Sequence, residues 1–195
     1  NADSTDDPFN IDTDKELVIT GIGALIGTTS LIVNANNYPL NLNEIDSLHP
    51  QDVNRFDRIA IGPYEEDVPG DVLFYGSFAF PMTFLTYDKT LEDFGTISLM
   101  YGEAVLLNAS INALVKALTL RDRPFVYDAN SLLEPKIDVD ARYSFYSGHT
   151  SMTAVNTFYT AKVYSAYISN QTTKTILWTA AAIIPAITGY SRTAF

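Results

Sequence analysis

The sequence contains no cysteine, so it forms no disulfide framework and no thiolate metal site, and it lacks a cysteine nucleophile. Basic residues are also scarce, because 12 Lys and Arg stand against 23 Asp and Glu, which gives a formal net charge of -11. Nucleic-acid binding depends on a positive surface that neutralises phosphates, and this charge balance argues against such a partner. Any phosphate bound here must therefore meet a local basic cluster.

Alternating strand patterns and internal repeats are also missing. What is present instead is a series of apolar segments with helical length, predicted at residues 16–33, 71–87, 91–120, 147–169 and 173–190. Pro81 should kink the second of these helices. The predicted fold class is all-α, a bundle of about five to six helices, with an active site at the helix ends.

Polar segments separate these helices. Residues 1–15 are rich in aspartate and predict a flexible acidic arm. Residues 37–70 hold four prolines and predict an irregular loop with a short helix around residues 52–61, and residues 124–146 predict a second loop. The chain length fits one domain, so residues 16–195 are predicted to form a single α-helical domain.

Three groups of polar residues stand at predicted helix ends, and one of them, Ser191 and Arg192, lies at the end of the fifth helix. Lys116 and Arg123 are seven positions apart at the end of the third helix, where we expect them to share a face. Ser147, Gly148 and His149 begin the fourth helix, whose free N–H groups can bind an anion. Taken singly, such residues are equally explained as helix caps or as bases that complement the helix dipole. Their common position at helix ends favours a phosphate site.

These groups resemble the signature motifs KxxxxxxRP, PSGH and SRxxxxxHxxxD of the type-2 phosphatidic acid phosphatase and vanadium haloperoxidase superfamily. The matching residues are Lys116, Arg123, Pro124, Ser147, Gly148, His149, Ser191 and Arg192. Tyr146 replaces the proline of the second motif. The 195 residues stop at Phe195, before the histidine and aspartate of the third motif, so we expect the chain to be truncated there.

The resemblance implies a role for each matching residue. Lys116, Arg123 and Arg192 would bind the phosphoryl oxygens, and the backbone of Ser147 and Gly148 would add N–H donors. His149 would protonate the leaving oxygen and later deprotonate the attacking water. The nucleophile would be the histidine of the third motif. Neither a metal nor an organic cofactor is implied. His49, outside every motif, is interpreted as a solvated loop residue.

The predicted function is a metal-independent phosphatase that hydrolyses a phosphomonoester or pyrophosphate of a lipid-linked substrate through a phosphohistidine intermediate. The alternatives are a vanadate-dependent haloperoxidase and a non-catalytic phosphate-binding or structural protein of the envelope. The apolar helices favour membrane association. With the resemblance, they lead us to expect a cell-envelope protein whose active site lies on the extracytoplasmic (periplasmic) side. A soluble periplasmic protein is the alternative, which Lys162 in the fourth helix supports.

Overall fold

The computed structural model describes residues 9–55, 57–65 and 67–194, with side chains as far as Ser191. The helices are α1 (Thr13–Asn34), α2 (Leu42–Ser47), α3 (Val68–Ser77), α4 (Ala79–Met82), α5 (Asp88–Glu92), α6 (Phe94–Thr119), α7 (Leu133–Lys136), α8 (Gly148–Tyr167) and α9 (Gln171–Ala194). Short 3-10 turns cover Pro50–Asp52, Asp57–Ala60, Thr83–Thr86, Pro124–Tyr127 and Val139–Arg142. The described ranges contain no strand, and the predicted all-α class is confirmed.

Helices α1 and α6 pack closely along much of their length, and two glycines on α1 make this possible. A Cβ at Gly23 would lie 2.9 Å from Leu106 Cγ, and one at Gly27 would lie 3.0 Å from Ser110 Oγ. Small residues four positions apart let two helix backbones approach closely. The contact with α1 fixes the position of α6, which carries Lys116 near its C-terminal end.

Helix α8 packs against α3, α6 and α9 through polar side chains. In α9, Pro185 has no N–H to donate to the carbonyl of Ala181, four residues earlier. The Thr157 hydroxyl of α8 donates to that carbonyl instead, at 3.0 Å. The proline is therefore accommodated within one continuous helix because the neighbouring helix supplies the missing donor.

The second predicted helix is broken where the sequence predicted only a kink. Helix α3 ends at Ser77, α4 begins at Ala79, and a 3-10 turn follows from Thr83. The break precedes Pro81 because a proline ring clashes with the carbonyl four residues before it, which is that of Ser77. Asp67 caps the start of α3 and accepts from the Gly70 N–H at 2.8 Å, so α3 begins earlier than predicted.

The prediction that Lys116 and Arg123 share a helix face is wrong. Helix α6 ends at Thr119, and Leu120 adopts a left-handed conformation with φ 43°. Arg123 is extended, with φ -73° and ψ 148°, as expected for a residue that precedes a proline. The chain therefore leaves the helix before Arg123, which belongs to the following loop.

The remaining predicted boundaries differ by a few residues. The fourth and fifth helices are observed as α8 and α9, and the loop over residues 124–146 contains short helical turns. Of the predicted acidic arm, residues 1–8 lie outside the described part of the chain, and α1 already begins at Thr13. Phe9 is buried in a cluster with Phe84, Ile97 and Val163.

Candidate active site

The start of α8 lies directly against the C-terminal part of α6. Ser147 caps α8, and its Oγ accepts from the Thr150 N–H at 3.2 Å. A Cβ at Gly148 would lie 3.8 Å from Lys116 Nζ and 3.1 Å from Asn112 Oδ1. Asn112 Nδ2 also donates to the Tyr146 carbonyl at 2.9 Å. The Asn112 amide thus positions the turn that precedes α8. The Lys116 ammonium group lies beside the N-terminus of α8, which is a suitable place for an anion.

The end of α1 supports the same region from the other side. Tyr143 donates its hydroxyl hydrogen to Asn34, and Asn37 Nδ2 donates to the Ala117 carbonyl at 3.0 Å. A cavity of about 200 Å³ opens between α1 and α6 and reaches Lys116. Its lining is formed by Ser30, Leu31, Asn34, Asn112, Ala113, Lys116 and Tyr143. Lys116 therefore separates this cavity from the start of α8.

His149 is held by α3. Its Nε2 lies 3.0 Å from Asp71 Oδ1, and its ring centroid lies 4.4 Å from that of Phe74. Asp71 and Phe74 are three residues apart, so both project from one face of α3. Neither the charge partner nor the ring contact was predicted from the sequence, where Asp71 was only the first residue of a helix.

The end of α9 also reaches this region. The Ser191 hydroxyl donates to Asp67 Oδ2 at 3.1 Å, and both side chains are buried. A Cβ at Gly189 would lie 3.4 Å from Thr150 Cγ2, one turn into α8. The third predicted block is therefore next to the second. Arg192 lies in α9, but its side chain is outside the described part of the structure, and its predicted role stays a prediction.

Arg123 lies on the loop that leads towards Ser147. Its backbone N–H donates to the Ala141 carbonyl at 2.7 Å, and its Nη2 donates to Asp140 Oδ2 at 2.5 Å. Two neighbouring cations are also paired with carboxylates, Arg121 with Asp57 and Arg142 with Asp122. Burial raises the pKa of Asp122, and the Arg142 guanidinium partly opposes that rise.

The other histidine stands apart from this arrangement. His49 is exposed before the Pro50–Asp52 turn, where its backbone N–H donates to Asp52 Oδ2 at 3.1 Å. Across the described ranges, no group of three or more His, Asp or Glu side chains is placed to hold a metal ion. The polar groups that the described region brings together are Lys116, the N-terminus of α8 and a histidine paired with a carboxylate.

Comparisons with known proteins identify the family of this chain. The family model of the PAP2 superfamily matches residues 98–195, which include the end of α6, the start of α8 and α9. Neither the curated proteins nor the solved structures contain a significant match. The matched region covers half of the chain. The chain therefore belongs to the PAP2 superfamily, whose membership implies activity of the phosphatase or haloperoxidase type.

Proposed function

We propose that the protein is a metal-independent phosphatase that hydrolyses a phosphomonoester or pyrophosphate of a lipid-linked substrate. The observation that carries this proposal is the approach of Lys116 Nζ to Gly148 at the N-terminus of α8. A helix N-terminus offers unpaired N–H groups and a positive dipole end, and the ammonium group adds a full charge. These positive groups complement the negative charge of a phosphoryl group.

Gly148 is required for this approach. A Cβ at this position would lie 3.1 Å from Asn112 Oδ1 and 3.8 Å from Lys116 Nζ, in the space that we assign to a phosphoryl oxygen, which needs the backbone N–H groups to be open. Arg123 Nε is buried and has no hydrogen-bond acceptor among the described residues, so the protein does not use the full donor capacity of this guanidinium. We infer that Arg123, with Arg192, completes the neutralisation of the phosphoryl charge.

In the proposed reaction, a histidine of the kind that the third family motif specifies attacks phosphorus in line with the leaving oxygen. The P–O bond breaks, and His149 gives a proton to the leaving oxygen. The attacking histidine is now bonded to phosphorus as a phosphohistidine. His149 then accepts a proton from water, whose oxygen attacks phosphorus. The P–N bond breaks, its electron pair returns to the nucleophilic histidine, and inorganic phosphate is released. Lys116 and the α8 N–H groups hold the phosphoryl oxygens in both steps.

A membrane location is supported by the distribution of polarity. Two helices, α1 and α6, are long and apolar enough to cross a bilayer. Fully buried side chains include a polar set, formed by Ser77, Thr90, Thr153, Asn156 and Thr188. Large apolar side chains are exposed on α1 and α9, at Leu17, Val18, Ile22, Leu25, Leu31, Ile32, Ile176, Trp178, Ile183 and Ile187. This pattern suits helices that face lipid and contact one another through small and polar residues.

The details of helix packing agree with this location. The Gly23 and Gly27 pair on α1 is the small-residue spacing that membrane helices use for close contact. Lys162 is exposed near the C-terminal end of α8, where a long side chain can extend towards the headgroups. We propose that the site faces the extracytoplasmic side of an envelope membrane, where a lipid phosphate can enter it.

The test is release of inorganic phosphate from phosphatidate by the complete protein in EDTA. His149→Ala and Arg123→Ala should each reduce the rate by at least about 100-fold. The matched controls are His49→Ala, the other histidine, and Arg121→Ala, a cation two residues away that pairs with Asp57. Both controls should retain wild-type turnover.

Each other outcome has a definite meaning. Phosphate release that requires an added divalent metal contradicts the metal-independent mechanism. Absence of phosphate release, together with halide oxidation after loading with vanadate, identifies a haloperoxidase. Phosphate binding without either reaction identifies a non-catalytic binding protein. Activity in the soluble fraction after removal of membranes contradicts the proposed membrane location.

A further inference from the structure

The environment of His149 contains a carboxylate that no motif of the sequence indicates. Asp71 Oδ1 lies 3.0 Å from His149 Nε2, and Phe74 packs against the same ring. The His149 side chain is 29% exposed and that of Asp71 is 47% exposed. The pair therefore lies at the edge of the site, where substrate can reach the imidazole while α3 holds it.

Helix α3 is itself firmly placed. Asp67, in the preceding turn, is 6% exposed and accepts from Gly70 N–H at 2.8 Å and from Ser191 Oγ at 3.1 Å. The Asp71 N–H donates to the Asp67 carbonyl at 2.9 Å. Gly70 has no room for a side chain, since its Cβ would lie 2.8 Å from Ser191 Oγ. The first turn of α3 is thus fixed to α9, and it presents Asp71 to α8.

We propose that Asp71 is a positioning residue that holds the Nε2–H of His149, so that Nδ1 exchanges the proton with the substrate. This inference rests on the proposed phosphatase function. A carboxylate that accepts from one imidazole nitrogen fixes both the tautomer and the ring orientation. The same carboxylate favours the protonated imidazolium that must be present when the leaving oxygen needs a proton.

The proton balance of the proposed step is complete. The imidazolium carries one proton on Nε2, which makes a hydrogen bond to Asp71, and a second proton on Nδ1. When the P–O bond breaks, its electron pair stays on the leaving oxygen, which takes the Nδ1 proton. The neutral imidazole that remains keeps the Nε2 proton. In the hydrolysis step, Nδ1 accepts a proton from water, and the imidazolium is restored.

Other charged groups face His149 from neighbouring elements. On α6, Lys116 lies beside Gly148 and opposes protonation of the imidazole. Asp67, one turn before Asp71, carries a negative charge that favours protonation of the imidazole. Its carboxylate oxygens already accept hydrogen bonds from the Gly70 N–H and the Ser191 hydroxyl. On α9, the side chain of Arg192 lies outside the described part. Asp71 contacts the ring directly, so its removal should have a larger effect than the removal of Asp67.

The experiment uses the complete protein in detergent, with ¹⁵N-labelled histidine and with the His149 signal assigned from its loss in His149→Gln. In the wild type, neutral His149 should be the Nε2–H tautomer. Asp71→Asn should abolish this preference and lower the titration midpoint of His149 by about one pH unit. Asp71→Glu should retain both properties. Asp88→Asn removes the same charge from α5 and should behave as the wild type.

Kinetics supply the second readout. Asp71→Asn should reduce kcat by at least about tenfold with little change in KM, because proton transfer and not phosphate binding is impaired. Asp71→Glu should recover part of this loss. Neutral wild-type His149 found as the Nδ1–H tautomer would overturn the inference, as would an Asp71→Asn protein with wild-type titration and kcat. Failure of the wild type to release phosphate would instead reject the proposed function. In that case the ¹⁵N measurement of the His149 tautomer still tests whether Asp71 holds the Nε2–H.

Discussion

Replacing Gly148 by alanine adds one methyl group at the base of the proposed phosphate site. The new Cβ would lie 3.1 Å from Asn112 Oδ1, so Asn112 must move by a few tenths of an ångström and weaken its hydrogen bond to Tyr146. Such a bond contributes about 1 kcal/mol, and replacing glycine by alanine in a helix returns up to about 1 kcal/mol. The free energy of unfolding should therefore change by less than about 1 kcal/mol.

The effect on activity should be far larger. The methyl group would lie 3.8 Å from Lys116 Nζ, in the space proposed for a phosphoryl oxygen. Loss of one preorganised donor to a developing oxyanion reduces rates by about 10²–10³-fold, so kcat/KM for phosphatidate should fall about 100-fold. Gly102→Ala on α6 is the control, since nothing lies within 4 Å of its Cβ. A Gly148→Ala protein that retains kcat/KM within about threefold of the wild type would refute the placement of phosphate at this turn.

Further predictions concern packing and pH dependence. Thr157→Val leaves the Ala181 carbonyl of α9 without a donor and should lower the free energy of unfolding by about 1–3 kcal/mol. Thr160→Val, one turn later, should lower it less, because the Thr160 hydroxyl only supplements a helical hydrogen bond to the Asn156 carbonyl. Denaturant titration in detergent compares the two variants. Gly23→Ala should reduce the melting temperature through its clash with α6, while Gly21→Ala on the same helix, with nothing within 4 Å, should raise it. Burial raises the pKa of Asp122 above 3.8, so folding favours its acid form, and this contribution is lost as pH rises through the folded-state pKa. Wild type should lose stability relative to Asp122→Asn between pH 3 and pH 7, and equal pH profiles in thermal melts would contradict this.

The long helices could be predicted from the sequence because their apolar content is continuous over helical lengths. The start of α8 was also predictable, since Ser147 is a strong helix cap and Gly148 follows it. The end of α6 was predicted to within one residue, but the position of Arg123 was not, because Pro124 indicates a helix end without showing how the chain continues. Leu120 in a left-handed conformation turns the chain away from the helix before Arg123, and a leucine gives no local signal for that conformation.

The contacts that complete the site could not be predicted from local patterns. Ser191 and Asp67 are 124 positions apart, and Asp71 and His149 are 78 positions apart. An aspartate in the first turn of a helix is explained by the helix dipole alone, so its sequence context carries no sign of the histidine. Asn112 is buried on an otherwise apolar helix, and its hydrogen-bond partner, the carbonyl of Tyr146, depends on tertiary packing.

The most direct measurement of the central claim compares phosphate release from phosphatidate in EDTA by the wild type and by Lys116→Met. Lys89→Met on α5 is the control, because that residue is exposed near the opposite end of α6, about 35 Å from Lys116 along the helix. The account predicts release without metal in the wild type and in Lys89→Met, and a loss of at least about 100-fold in Lys116→Met. Full activity of Lys116→Met, or release only after metal is added, would contradict it.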